Sequence, residues 1–147
     1  MKRTILSLML VVLAITAVAQ NSKNVENPQF PGGLEALAQF LVDNVKYPEV
    51  AEAYGVEGKV VMDFVVEKDG SLSEIAAHDC KIERFNTTKF SQETEARQKE
   101  LKEQFAKLFA KEGARVIRMM PQWTPGKADG KIVRMKLHQP INFKMPL

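Results

Sequence analysis

The stretch Met120–Lys131, MPQWTPGKADGK, places the only tryptophan of the chain between two prolines and follows it with two glycines. Proline ends helices and fixes φ, whereas glycine adopts turn conformations that other residues resist. The stretch is therefore predicted to end a helix, run extended from Gln122 to Thr124, turn at Pro125-Gly126 and again at Asp129-Gly130, and begin a strand. Trp123 is interpreted as a core anchor that pins helix to sheet, in preference to a platform for ligand stacking.

A strand is predicted directly after this joint. Two alternating sets share a two-residue period: Val133, Met135, Leu137, Ile141 and Phe143 in one phase, and Arg134, Lys136, His138, Pro140 and Asn142 in the other. Proline cannot donate a hydrogen bond to a neighbouring strand, so Pro140 favours a position at the edge of a sheet. An edge strand leaves main-chain N–H and C=O groups unpaired, and another chain can pair with them.

Two further strands are predicted upstream, as a hairpin. An apolar alternation runs from Val60 to Val66, and Lys68–Ser71 contains the Asp-Gly pair that favours a tight turn. Leu72–Cys80 returns as the second strand, with weaker alternation. Because Val61 and Val65 fall in the otherwise polar phase, the second face of this sheet is expected to be partly covered.

Helices are predicted on both sides of the hairpin. Apolar residues at helical spacing from Leu34 to Val45 indicate a first helix that ends before Tyr47-Pro48, and Pro48 opens a short second one. Ser91 is predicted to cap a long charged helix, Gln92–Glu112. The chain is therefore predicted to be α+β, with a three-stranded antiparallel sheet packed on two or three helices and a charged helical insertion at about 81–112.

The N-terminus has the features of a secretory leader. A basic start precedes an almost wholly apolar run, Ile5–Ile15, and Ala17-Val18-Ala19 gives the small-x-small pattern of a cleavage site. The run from Ile5 to Ala19 spans about 22 Å as a helix, which is short for a hydrocarbon core of about 30 Å. We therefore expect a cleaved signal peptide at 1–19, a flexible lead-in at 20–29, a single domain at 30–147 and no stable membrane span after cleavage.

The composition argues against several classes of function. Lys2 and Arg3 supply two of the three net positive charges, so the remaining chain is nearly neutral and nucleic-acid binding is not expected. The single cysteine, Cys80, excludes an internal disulfide and is expected to be buried. Serine, histidine and acidic residues form no organised catalytic arrangement, so the chain is not expected to be an enzyme or to hold a cofactor.

A metal site is also not expected. The one tight group of candidate ligands is His78-Asp79-Cys80, which His138 could join if the third strand lies beside the second. On a regular strand, however, His78 and Cys80 share a face while Asp79 points away. One histidine and one cysteine are too few ligands without His138.

Together these pieces resemble the TonB C-terminal domain family. The resemblance runs from Phe30 to Phe143 and rests on FPGGLEALAQFLVDNVKYPEVA, GVEGKVVMDFVVEKDGSL, ARVIRMMPQWTPGKADGKIVRM and PINF, in that order. It implies a periplasmic protein with a three-stranded antiparallel sheet packed on helices. It also implies binding of a short receptor peptide by strand addition at the sheet edge.

On this resemblance, the partner-binding residues form two groups. The edge strand contributes Ile132, Val133, Arg134, Met135, Lys136, Leu137 and His138, and a second contact area contains Tyr47 and Pro48. The implied partner is a peptide of an outer-membrane TonB-dependent receptor or another TonB-type protein, with a homodimer as a further option. A lead-in of ten residues reaches at most about 35 Å, so the chain is expected to be a stand-alone module that does not carry force between membranes.

A different class of function remains open. The basic residues Lys131, Arg134, Lys136 and Lys144, together with one tryptophan, are compatible with a cell-envelope scaffold that binds peptidoglycan or polysaccharide. Co-sedimentation with purified cell wall separates this function from peptide binding.

Overall fold

The computed structural model of the protein describes residues 13–15, 24–85 and 88–145. The described chain contains seven strands and four helices: β1 (Leu13–Ile15), β2 (Val25–Glu26), α1 (Gly33–Asn44), α2 (Glu49–Ala53), β3 (Val56–Val66), β4 (Leu72–Phe85), α3 (Thr88–Ser91), α4 (Glu95–Arg118), β5 (Gly126–Ala128), β6 (Lys131–Val133) and β7 (Met135–Phe143). Most of the expected signal peptide, 1–19, and the first residues of the expected lead-in lie outside the described residues.

The main sheet has the strand order β1-β7-β3-β4, and all of its neighbours are antiparallel. The prediction of an α+β fold is confirmed: strands β7, β3 and β4 form the expected three-stranded sheet, and β1 extends it by three residues. The expected hairpin joins β3 to β4. In its turn Asp69 Oδ1 accepts hydrogen bonds from the backbone N–H and the hydroxyl of Ser71, and Gly70 takes a φ of 86°.

A second, small sheet has the order β2-β5-β6. Val25 and Glu26 of β2 pair with Ala128 and Lys127, and the N–H of Gln29 bonds the carbonyl of Thr124. The second half of the expected flexible lead-in is therefore paired with the stretch that follows Trp123. These strands are two or three residues long, which is too short for an alternation to be detected in the sequence.

The long helix differs from its prediction at both ends. Ser91 closes α3, with its hydroxyl donating to the carbonyl of Thr88, and Thr94 caps α4 by accepting from the N–H of Arg97. Both residues are good N-caps, so the sequence alone did not distinguish them. The helix also runs through Gly113 without a break. A Cβ at this position would lie 2.8 Å from the sulfur of Met62, so the glycine allows the helix and the sheet to approach closely.

The core lies between one face of the main sheet and the helices. This face, called the helix face, carries Val60, Met62 and Phe64 of β3 and Leu137 and Ile141 of β7, all fully buried. Helix α4 packs across β3 and β4 on it. The opposite side, called the outer face, carries Val61, Asp63 and Val65 of β3 with their β7 partners Pro140, His138 and Lys136. Val65 and Asp63 are buried, in agreement with the expected partial cover of this face.

Trp123 is part of this core. Its ring is 4% exposed and makes edge-on contacts with Phe30 and Phe64. Its backbone N–H also donates to the carbonyl of Gly70, at 2.9 Å. The prediction of a core anchor is thus confirmed, and Trp123 joins the segment before α1, the main sheet and the β3–β4 turn at one point. Within the described ranges, no helix combines the length and apolar character needed to cross a membrane.

Candidate functional site

The outer edge of β7 is the part of the molecule where an extended segment adds to the sheet. Strand β1 pairs with it antiparallel, with Leu13 opposite His138, Ala14 opposite Leu137 and Ile15 opposite Lys136. The predicted edge strand is therefore covered over three residues by the chain's own backbone, which corrects the expectation of an open edge in the full chain. The physical reason is that the unpaired N–H and C=O groups of an edge strand form hydrogen bonds with any extended segment that is available.

The predicted binding strand, 132–138, is divided between two sheets. Ile132 and Val133 belong to β6 and pair with β5, whereas Met135–Phe143 forms β7. Along β7, Met135 and Leu137 are buried on the helix face, and Lys136 and His138 lie on the outer face. A segment added to β7 therefore contacts main-chain groups of Met135–His138 and the side chains of Lys136 and His138.

Arg134 lies at the break between β6 and β7 and is engaged with acidic side chains. Its guanidinium donates to Glu67 at 2.8 Å and to Glu74 at 2.9 Å, and these partners hold the pKa of Arg134 above its ordinary value. Lys136 Nζ lies 3.6 Å from the carboxylate of Asp63. Two of the four basic residues proposed for a polysaccharide scaffold are thus already paired with acids.

The second predicted contact area, Tyr47-Pro48, is not brought together with this part of β7. The Tyr47 ring is buried, packs edge-on against Phe109 and Phe143, and its hydroxyl donates to the carbonyl of Val56. Burial raises the pKa of this phenol well above its ordinary value, and the charges of nearby glutamates raise it further. Phe143 ends β7, so Tyr47 lies at the far end of that strand from Met135.

A cluster of polar side chains lies on the outer face beside the β7 edge. Asp63 extends from β3 between the only two histidines of the chain, His78 on β4 and His138 on β7. Its Oδ2 lies 3.2 Å from Nδ1 of His78, and its Oδ1 is hydrogen-bonded to Nδ1 of His138. The Asp63 side chain is 9% exposed, against 20% for His138 and 59% for His78. The candidate ligand atoms all lie within 4.8 Å of one another, so this cluster could hold a metal ion.

An irregularity in β4 explains why this cluster was not foreseen. The pairing moves from Val61 opposite Asp79 to Met62 opposite Ala77, which inserts one extra residue, His78, into β4. His78 therefore reaches the outer face, where Asp63 lies. The expectation that His78 and Cys80 share a face is wrong. His138 joins His78 although β4 and β7 are not neighbours, because Asp63 on β3 lies between them.

Cys80 is directed to the other side of the sheet. It pairs with Val60 and packs against the core, and burial, reinforced by the charge of Asp79, raises the pKa of its thiol to about 11. A thiol must lose its proton to bind a metal or attack an electrophile, so Cys80 is a poor ligand and a poor nucleophile at neutral pH. One sequence feature could have indicated Asp63 in its place: a carboxylate within the apolar run VVMDFVV needs a buried partner.

A largely apolar groove lies on a different part of the surface. It is about 320 Å³ in volume, and Pro28, Phe30, Leu34, Leu37 and Trp123 are among the residues that line it. The indole Nε1 of Trp123 is buried and has no hydrogen-bond partner among the described residues. This groove is a second place at which a peptide could be sought.

Comparison with known proteins gives one structural likeness. No family model and no curated protein matches the chain. The chain is similar to the NMR solution structure of the Helicobacter pylori TonB-CTD (residues 179–285), at 19% sequence identity and a TM-score of 0.44, over 90% of this chain and 96% of that chain. A likeness of this degree carries no argument about function, which has to come from the residues of the chain.

Proposed function

We propose that the protein is an exported, non-catalytic binding module that captures an extended peptide segment on the outer edge of β7. The observation that supports this most directly is β1, an extended segment already paired with Leu137 and its two neighbours. The sequence resemblance to the TonB C-terminal domain family favours a segment of an outer-membrane receptor as the natural occupant. Another TonB-type domain, or a second copy of this chain, would use the same edge.

Strand β1 lies within the predicted signal peptide, 1–19. Cleavage after Ala19 removes β1 and leaves the outer edge of β7 without that partner. In the precursor, the segment competes with any peptide for the same main-chain groups. A ligand's apparent affinity falls in proportion to the fraction of molecules whose site is free, so the leader is expected to weaken peptide binding.

Main-chain pairing gives such an edge affinity, and flanking side chains give it selectivity. Lys136 is exposed on the outer face of β7, and Glu67 and Glu74 lie around Arg134 at the start of the strand. A bound segment therefore meets charges of both signs close to each other. We expect the natural occupant to differ from β1 at two positions, with polar residues in place of Ile15 and Leu13 opposite Lys136 and His138.

The test compares two forms of the chain, one complete and one beginning at Gln20. A fluorescent peptide from the periplasmic N-terminal segment of a TonB-dependent receptor is titrated against each form and followed by anisotropy. The form beginning at Gln20 should bind, and the complete chain should bind more weakly. A peptide methylated on alternate backbone nitrogens should lose affinity in one methylation phase and keep it in the other, because only alternate N–H groups face the partner strand.

Hydrogen exchange locates the binding. Removal of 1–19 should accelerate exchange at about every second amide of 135–139, and bound peptide should restore that protection. The proposal is contradicted if bound peptide protects amides around the Trp123 groove instead. It is also contradicted if neither form of the chain binds a receptor peptide or a TonB-type domain. Sedimentation of the form beginning at Gln20 shows whether a second copy occupies the edge.

A further inference from the structure

Asp63, His78 and His138, called the Asp63 cluster, come from three strands and lie together on the outer face of the sheet. Asp63 is directly opposite His138 in the pairing of β3 with β7, and the extra residue in β4 turns His78 toward the same carboxylate. The two imidazole rings lie 5.3 Å apart between centroids, one on each side of Asp63. Each ring contacts a different oxygen of that carboxylate.

We propose that Asp63, His78 and His138 form a binding site for a divalent transition-metal ion, with Zn²⁺ the best fit. Two imidazole nitrogens and one carboxylate oxygen are a recurrent donor set for zinc, with a fourth position left to water or an incoming group. Tetrahedral zinc with bonds of about 2.0–2.1 Å needs its donor atoms about 3.4 Å apart. The 3.2 Å between His78 Nδ1 and Asp63 Oδ2 is close to this spacing.

The three donors are carried by the main sheet, and Asp63 is the most deeply buried of them. All three belong to strands of the main sheet, and the buried partners of Asp63 along β3, Met62 and Phe64, are fixed in the core. The fourth position would open toward solvent on the side of His78, the most exposed of the three ligands. Because the candidate donor atoms already lie within 4.8 Å of one another, binding requires these side chains to reorient and leaves the strands in place.

Lys136 is the group that opposes binding. Its ammonium lies 3.6 Å from Asp63 Oδ2, where it competes with a cation for the carboxylate. The side chain is about half exposed, so it can move into solvent when a metal arrives. Removing this positive charge should strengthen metal binding, which distinguishes a metal site from a purely structural cluster.

The competing explanation is that the two histidines merely hydrogen-bond a buried carboxylate. Such bonds satisfy Asp63 without any ion. In that case the cluster contributes to stability and has no measurable affinity for Zn²⁺. The two explanations differ in stoichiometry, in the response to Lys136 and in the spectrum of the bound ion.

The experiment is calorimetric titration of the chelator-stripped full chain with ZnCl₂. One ion per chain is expected. Loss of a residue that only supports a ligand typically costs about 10–100-fold in affinity, so Asp63→Asn and His138→Gln should each weaken binding at least about tenfold. Asp79→Asn removes the same charge one residue from His78, outside the cluster, and serves as the matched control with nearly unchanged affinity. Lys136→Gln should tighten binding, a gain that misfolding cannot produce.

Two spectroscopic measurements identify the ligands. Because the chain has only two histidines, the ring nitrogens of both should shift together in NMR spectra and stop shifting at one equivalent of Zn²⁺. Co²⁺ in the same site should give visible absorption bands that Asp63→Asn abolishes. Absence of stoichiometric binding, or binding that survives both Asp63→Asn and His138→Gln in variants with native circular dichroism, overturns the site. None of these measurements uses a peptide, so their outcome is separate from that of the proposed strand addition.

Discussion

Replacing Gly70 by alanine tests how tightly the β3–β4 turn is fastened to the joint at Trp123. Gly70 has a φ of 86°, and a Cβ built on it overlaps the carbonyl oxygen of Trp123 more closely than real Cβ atoms approach backbone. Gly130 has almost the same φ, 79°, but a Cβ there meets nothing within 4 Å. The two substitutions therefore share the backbone strain and differ only in the collision.

The magnitudes follow from these two environments. Alanine in the left-handed region costs about 1–2 kcal/mol, which is the whole expected effect of Gly130→Ala. Gly70→Ala must also displace the Trp123 backbone. It thereby weakens the hydrogen bond from Trp123 N–H, worth about 1 kcal/mol, and part of the packing of the indole, worth about 1–2 kcal/mol more. We expect Gly70→Ala to lower the free energy of unfolding by about 3–5 kcal/mol.

The assay is equilibrium unfolding in urea, followed by the fluorescence of the single tryptophan. Trp123 is buried beside the perturbed turn, so its emission reports both global unfolding and local loosening. At about 0.3 kcal/mol per degree for a chain of this length, the difference of about 2–3 kcal/mol between the two variants should also lower the melting temperature of Gly70→Ala by roughly 7–10 °C more than that of Gly130→Ala. Equal losses of stability in the two variants would show that the turn is not fastened rigidly to the joint.

Three further predictions concern single side chains. At pH 8, Cys80 should react with iodoacetamide about 100-fold more slowly in the native than in the urea-unfolded protein, because the thiolate is the reactive form and the native pKa of about 11 lies about two units above the ordinary value. Equal rates would show that the thiol is exposed. Thr94→Ala should destabilise the protein by about 1 kcal/mol in urea unfolding, and Ser91→Ala by clearly less, because only Thr94 caps the long helix; the reverse order would restore the cap originally predicted. Tyr47→Phe should cost about 1–3 kcal/mol, because it leaves the carbonyl of Val56 without its donor. Because the pKa of Tyr47 is raised on folding, the contribution of Tyr47 to the free energy of unfolding is complete below pH 10 and is lost as pH rises above that value. The phenolate absorbance of Tyr47 at 295 nm should therefore appear together with alkaline unfolding, and phenolate formed in the folded protein would contradict this.

The sequence predicted those parts of the fold in which one local rule dominates. The alternation from Val60 to Val66 and the Asp-Gly pair were sufficient for the β3–β4 hairpin, and Pro121 was sufficient to end the long helix before the joint. The single tryptophan between two prolines was interpreted correctly as an anchor, because a large apolar ring on a stiff segment loses little entropy on burial.

Other parts depend on pairings that no local pattern contains. Strand β4 changes phase along its length: Ile75 and Phe85 lie toward the core at odd positions, whereas Cys80 and Ile82 do so at even ones. These changes account for the weak alternation seen in the sequence. They also moved His78 from its predicted face to Asp63, so the most concentrated group of ligands in the described chain was recognised only in three dimensions.

His78 contacts Asp63 because β4 contains one more residue than the opposite stretch of β3. The number of residues in β4 therefore matters more for this contact than their types. Deleting His78 would let the hydrogen-bond ladder continue without interruption, because Asp79 and Ala77 on either side of it already pair with consecutive residues of β3. Both halves of β4 would keep their present partners and faces. Asp63 would lose one of its two imidazole neighbours, although no core residue had changed.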